Sequence, residues 1–255
     1  MGPNGPSRGP PAGLLARAIE RASPDSELHV ARLTIDLFRP VPKQLLHTHT
    51  RTVRQGHRIA VLEASLFSGE LEVARATALL LRPSPVNLPE DALPPPLHIT
   101  SHEELTTTTM DSFMRNEGGD SPLVDRGPML PGFHRTLEVR RVSGQPGRGR
   151  GTAWVRIPVP FVLGEETTPF VRVAAMSDFG NGLGHVTASD RGIGFINADI
   201  SLYLHRLPEG EWVCLEAYGV AQEHGLGMVE TVVHDGRGPI GRIVQALIAN
   251  RRHGT

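Results

Sequence analysis

A single register of 167 residues lays one stretch of this chain on another without a gap. Arg39 falls on Arg206, Val53 on Val220, Gln55 on Gln222 and His57 on His224. Glu63 falls on Glu230, Gly69 on Gly236, Arg75 on Arg242 and Leu80 on Leu247. Identity is low, but the apolar pattern keeps the register: LEASLF lies on VETVVH, and ATALLL on IVQALI. A chain of 255 residues built this way is expected to fold as two related halves that share an interface.

Each half reads as a helix followed by strands. In the first, Pro11–Ala22 carries Leu14, Leu15, Ala18 and Ile19 at helical spacing. Pro10 and Pro11 suit a helix start, where a missing N–H costs nothing. Arg32–Phe38, Leu45–Val53, Ile59–Phe67 and Glu72–Leu81 read as strands, separated by PVPK, RQGH and SGE. In the second half, Thr167-Thr168-Pro169 opens a helix over Phe170–Met176. Ile200–Leu204, Trp212–Val220, Gly227–His234 and Ile240–Ala249 follow as strands. One helix against a run of strands is the α+β pattern, and short connections predict a meandering antiparallel sheet.

Residues 83–132 are rich in proline and carry the run Thr106–Thr109, so they read as an irregular crossing segment with no core of its own. The expected division is therefore 1–82, 83–132 and 133–255. Leu137–Val142 and Thr152–Val159 read as two strands that precede the second helix, joined by the loop SGQPGRGRG. Only MGPNGPSRG precedes the first helix. The first unit is thus expected to lack those leading strands, through a misassigned chain start or a shortened form of the repeat.

Charge narrows the function. Lys and Arg number 26 and Asp and Glu 27, which gives no overall attraction for nucleic acid or an anionic membrane. Cys214 is the single cysteine, so no intrachain disulfide forms. No apolar run reaches the ~18 residues of a membrane span, and no signal segment is recognisable. The expectation is a soluble cytoplasmic protein without nucleic-acid or membrane partners.

Several motifs suggest chemistry without the context for it. Gly236-Arg-Gly238-Pro-Ile-Gly241 fits a dinucleotide fingerprint, but no βαβ unit surrounds it, and a hairpin turn is the better reading. No G-x-S-x-G, H-E-x-x-H or cysteine pair occurs, so serine hydrolysis and zinc have no sequence support. His47 and His49 read as surface residues on one strand face. Cys214 in WVCLEA reads as a packed residue rather than a nucleophile. Arg148 and Arg150 read as part of a solvated loop.

The stretch VRVAAMSDFGNGLG is different. Its apolar helical pattern runs into Ser177-Asp178-Phe179-Gly180-Asn181-Gly182. An acid inside a core helix is expensive unless paired, hydrogen-bonded or useful. Alternatively, Asp178 faces solvent or caps a turn beside the glycines.

AAMSDFGNG, FINADISLYLHR and GRIVQALIANR resemble segments of TesB-type medium- and long-chain acyl-CoA thioesterases, most closely the TesB-like thioesterase family. GPPAGLLARAIERA, RLTIDLFRPVP and VARATALLLRP resemble the first unit of the same family, so the resemblance covers nearly the whole chain. It implies a double hotdog: two tandem units, each a central helix wrapped by an antiparallel sheet. It also implies hydrolysis of acyl-CoA, or of a related acyl-carrier thioester, to free fatty acid, with no cofactor or metal and a homo-oligomeric assembly.

In that family a helical Asp, a Thr on the next strand and a Gln on the last strand surround the attacking water. Asp178 and Gln245 match the first and last. Counting back from His205-Arg206, the Thr position holds Asn197, a departure that keeps hydrogen-bonding capacity but loses the hydroxyl. Phe179, Gly180 and Phe195 are the expected substrate-binding residues. A carboxylate of raised pKa can act as general base, and Gln245 can orient the water. The first half has Ala78 opposite Gln245 and no Asp in Leu14–Arg21, so one site per chain is expected.

Two alternatives remain. One is an enoyl-thioester hydratase or dehydratase on the same scaffold, pairing an Asp with His185 or His205. The other is a non-catalytic acyl-thioester binder.

Overall fold

The computed structural model describes residues 9–93, 99–114, 132–145, 147–187 and 193–251. The remaining parts of the Pro-rich segment, 94–98 and 115–131, lie outside the described residues, as do residues 1–8.

The first unit is a helix α1 (Gly9–Ala22) followed by β1 (His29–Leu37), β2 (His47–Gln55), β3 (Ile59–Ser68) and β4 (Leu71–Leu81). The Pro-rich stretch adds a short strand β5 (Thr108–Thr109) and a helical turn α2 (Met110–Met114). The second unit comprises β6 (Glu138–Gly144), β7 (Arg150–Arg156), α3 (Pro169–Met176), α4 (Phe179–Leu183), β8 (Ile193–Asn197), β9 (Asp199–Leu204), β10 (Val213–Ala221), β11 (Leu226–Asp235) and β12 (Gly238–Arg251).

The 167-residue register holds in three dimensions. β11 spans the residues that β3 predicts, and β12 begins where β4 predicts. Even the irregularities repeat. The pairing of β3 with β4 slips between Leu66 and Phe67, and that of β11 with β12 slips between Val233 and His234. Both slips fall at equivalent positions.

All strands join one antiparallel sheet in the order β2-β3-β4-β1-β9-β12-β11-β10-β7-β6-β5, with β8 also on β12. β1 and β9 pair at the centre, with Thr34 opposite Ser201 and Asp36 opposite Asp199. Thr34 and Ser201 are themselves repeat equivalents, so a local two-fold axis passes through that pair. The expected meander holds for β2-β3-β4 and for β10-β11-β12. β1 lies beyond β4, because residues 38–46 form a connection long enough to cross the intervening strands. β2 lies at one end of the sheet, whereas its counterpart β10 is flanked by β7.

The helices pack against each other and against the sheet. Ala12, Leu15, Ala16 and Ile19 line the buried stripe of α1, all inaccessible to solvent. Fully burying a leucine or isoleucine contributes about 1.5–3 kcal/mol. Thr168 caps α3 by accepting from the Val171 amide at 3.2 Å, and its hydroxyl also donates to Glu20 of α1 at 2.6 Å. Burial pushes the Glu20 carboxyl up, and the Thr168 hydrogen bond offsets part of this. Arg17 of α1 holds Glu165, in the loop before α3, at 2.7 Å.

The Pro-rich segment is not wholly without a core, because Met110 and Phe113 are buried in the main one. Ahead of them, His102 stacks on Trp212 at 5.5 Å, and the Trp154 indole donates to the Thr100 carbonyl at 2.9 Å. Cys214 is buried beneath this outer cluster, and burial raises its thiol well above the ordinary range. That environment suits a packing residue. His47 and His49 are exposed on β2, where His47 stacks on Phe67. Gly236-Arg237 is the turn of the β11–β12 hairpin, and Arg150 lies over the Tyr218 ring. No helix among the described residues is long and apolar enough to cross a membrane.

Candidate active site

The helix expected over Phe170–Met176 is α3, and it ends before Asp178, so the acid stands at a helix break and not inside the core helix. The Ser177 hydroxyl donates back to the Ala174 carbonyl at 2.7 Å, and the Ser177 amide bonds the same oxygen. This local bonding tightens the end of α3, and the glycines at 180 and 182 weaken its continuation. Asp178 then stands at the N-cap of α4 with φ −71° and ψ −21°. An N-cap aspartate ordinarily accepts from the first-turn amides, which contributes about 1 kcal/mol. Asp178 makes no such bond. Its Oδ1 accepts instead from Asn197 Nδ2 at 3.0 Å.

Asn197 reaches that carboxylate because of a β-bulge. Leu247 pairs with Asn197 and Val244 with Ser201, so three residues of one strand oppose two of the other. The extra residue reverses which parity faces inward. Phe195 and Asn197 are buried in β8, while Ile200, Leu202 and Leu204 are buried in β9. Asp199 stabilises the bulge by accepting from the Ala246 amide at 2.6 Å. The first unit has the same bulge, with Val30 opposite Leu80 and Arg32 opposite Leu79. Bulges beside functional sites re-aim side chains in this way.

Gln245 lies on the same face of β12 as Leu247, the partner of Asn197. It is 0% exposed, and among the described residues neither amide atom has a hydrogen-bond partner. Leaving such a group unpaired costs about 1–3 kcal/mol. Gly180 sits against it: a Cβ at Gly180 would come 3.2 Å from Gln245 Oε1 and 2.3 Å from Thr231 Oγ1. A side chain there would collide with the Thr231 hydroxyl and crowd the amide, so glycine is required for room, not for backbone conformation. The C-terminal end of α4 is held equally close, since a Cβ at Gly219 would meet the Gly184 carbonyl oxygen at 2.0 Å.

The structure thus brings Asp178, Asn197 and Gln245 to one region. Phe179 and Phe195, each 9% exposed, flank it. Asn181 ties α4 to β8 by donating to the Phe195 carbonyl at 3.3 Å. His205 is exposed, with its ring at 3.1 Å from the Pro239 carbonyl, and His185 Nε2 lies 3.4 Å from the Thr187 hydroxyl. A cavity of about 450 Å³ opens at the other end of α3, lined by Arg17, Phe161, Glu165 and Val171 among others. Sequence reasoning missed Thr231, a wholly buried residue whose hydroxyl has no hydrogen-bond partner among the described residues. The signal was present: Thr231 replaces Ala64 of the first repeat at a core-facing position.

Two helix-and-sheet units joined through one central strand pair make this a double hotdog. Profiles of the acyl-CoA thioesterase N-terminal and C-terminal domains match residues 2–81 and 104–249. The chain belongs to the acyl-CoA thioesterase family and is a thioester hydrolase. Solved structures share the fold. The TesB protein of Mycobacterium avium subspecies paratuberculosis is 13% identical with a TM-score of 0.67, over 95% of this chain and 86% of that one. Acyl-CoA thioesterase II TesB2 of Mycobacterium marinum is 16% identical with a TM-score of 0.67, over 98% and 91%. The dehydratase domain from the CurJ module of curacin polyketide synthase is more distant, at 11% identity and a TM-score of 0.52, over 97% and 84%. No curated protein sequence matches the chain.

Proposed function

We propose that the protein hydrolyses acyl-CoA to free fatty acid and CoA at one site per chain, built in the unit 133–255. The unit 1–82 serves as scaffold, and 83–132 connects the two. Asp178 is the general base that takes a proton from the attacking water. Asn197 orients its carboxylate through the 3.0 Å hydrogen bond, and Gln245 positions the water with its amide. Phe179 and Phe195 offer apolar walls for the acyl chain, and Gly180 allows close approach. No covalent intermediate is required.

The observation that carries this reading is the fully buried amide of Gln245, unpaired among the described residues, in the region of a carboxylate that makes no capping bond. The test is thiol release from a panel of acyl-CoAs, short to long, by the purified protein. Release that depends on chain length is the expected result. Absence of release from every member by folded protein overturns the reading, and hydration of crotonyl-CoA in its place would establish hydratase chemistry.

Gln245→Leu separates function from packing. An apolar side chain of similar size removes two unsatisfied polar atoms, so thermal stability is expected to hold or rise. Turnover is expected to fall about 10²-fold, as for loss of one preorganised hydrogen-bonding group. Unchanged turnover would make the amide structural. Asn197→Thr is expected to retain turnover within about tenfold, because a hydroxyl can also donate to Asp178. Complete loss in steady-state assays would show that the longer amide is needed.

A further inference from the structure

We propose that Thr231 is a fourth catalytic residue of this site, its hydroxyl holding the attacking water together with Gln245. The inference rests on the hydrolase reading given above and adds a residue to it.

Thr231 lies on the core-facing side of β11, between Val229 and Val233, and all three are wholly buried. It pairs with Ile243, and Val229 pairs with Gln245, so Thr231 and Gln245 are diagonal neighbours on one face of the sheet. The Thr231 Oγ1 and both amide atoms of Gln245 are unpaired among the described residues. Both side chains crowd the same point: the 2.3 Å and 3.2 Å approaches to a Cβ at Gly180 are measured from one atom position. Two buried polar groups that approach one point and lack partners among the described residues would both be satisfied by a polar guest such as a water. A water needs two to four such partners.

The duplication supplies an internal control. Asn197, Thr231 and Gln245 are equivalent to Val30, Ala64 and Ala78. The three polar residues are 3%, 0% and 0% exposed, and their apolar counterparts 8%, 0% and 0%. The same fold, with the same bulge, therefore packs without any of these polar groups. The hydroxyl of Thr231 is not demanded by the architecture. It stands with Asn197 and Gln245 as a set present in one unit and absent from the other. A threonine whose hydroxyl only filled space would be better replaced by valine, which has the same shape and no unsatisfied group.

The experiment compares wild type, Thr231→Val, Thr231→Ser and Thr231→Ala by acyl-CoA thiol release and thermal melting. Thr231→Val is expected to lower kcat about 10²-fold with KM little changed, while the melting temperature holds or rises. Thr231→Ser, which keeps the hydroxyl, is expected to stay within about fivefold of wild type. Full activity in a folded Thr231→Val overturns the proposal. Should that variant fail to fold, Ser and Ala decide: an active Ser and an inactive, folded Ala support the role, and equal activity in both removes it. No thiol release by wild type defeats the hydrolase reading itself. Release by wild type together with undiminished release by Thr231→Val defeats only the role of Thr231.

Discussion

Asp178→Asn lowers kcat for acyl-CoA hydrolysis by about 10²–10⁴-fold, the range expected for loss of a general base, and leaves the fold intact. The asparagine amide oxygen can still accept from Asn197 Nδ2, so the local geometry survives. What is lost is basicity. Because Asp178 stands at a helix break and makes no capping bond, no helix-end hydrogen bond is forfeited. KM is expected to change little, since the proposed contact of Asp178 is with water rather than with the acyl chain. Thiol release and a thermal melt on the same preparation check both halves. Normal turnover would remove Asp178 from the mechanism.

Asp235→Asn destabilises the fold by about 3 kcal/mol, which for a chain of this size lowers the melting temperature by roughly 6–12 °C. Asp235 has a fully buried side chain at the base of the β11–β12 hairpin. Arg206 binds it through two nitrogens, one at 2.7 Å, and the amides of Glu209 and Arg237 donate to it at 2.9 and 2.8 Å. Burial pushes this carboxyl up, but the guanidinium and the two amides outweigh it and hold the pKa below its ordinary value of 3.8. A lowered folded-state pKa stabilises fully above the unfolded value and is lost as pH falls through the folded one. Wild type is therefore expected to keep its advantage at pH 4 and above, and the two melting curves to converge only below that. A constant difference down to pH 2 would show that the charge of Asp235 is not the source. The value sits at the low end for a broken buried pair because Arg206 keeps 28% of its side chain in water.

The strands were legible in the sequence because a half-buried strand alternates and because the repeat offers every alternation twice. LEASLF and VETVVH each leave some ambiguity alone, but together they fix β3 and β11. Asp178 stood out as an acid at the end of an apolar helical pattern, whereas Asn197 and Gln245 were reached through the family resemblance. Other features were not readable. Alternation tells which face a residue takes, not which strand lies beside it, so the passage of β1 beyond β4 had no signal. The helix break depends on one serine hydroxyl returning to Ala174, which spacing does not reveal. Thr231 is β-branched and suits a strand on propensity alone, so only its comparison with Ala64 of the first repeat marks it. Met110 and Phe113 bury from a segment with no periodicity, as isolated anchors can.

The position of β2 at the end of the sheet has a consequence for solubility. Its partner in the repeat, β10, carries Val213, Cys214 and Leu215 and is paired on both sides. Among the described residues no strand covers the outer side of β2, a row of backbone donors and acceptors open to any extended chain. The sequence HTHTRTVRQ answers that hazard. Threonine and histidine keep the strand hydrophilic, Arg51 is engaged by Glu63 of β3, Arg54 adds a charge, and a register slip between Thr52 and Arg54 disturbs the regular ladder. Two strands related by duplication have thus acquired opposite characters. One is written to be covered, and the other to discourage self-association in a crowded solution.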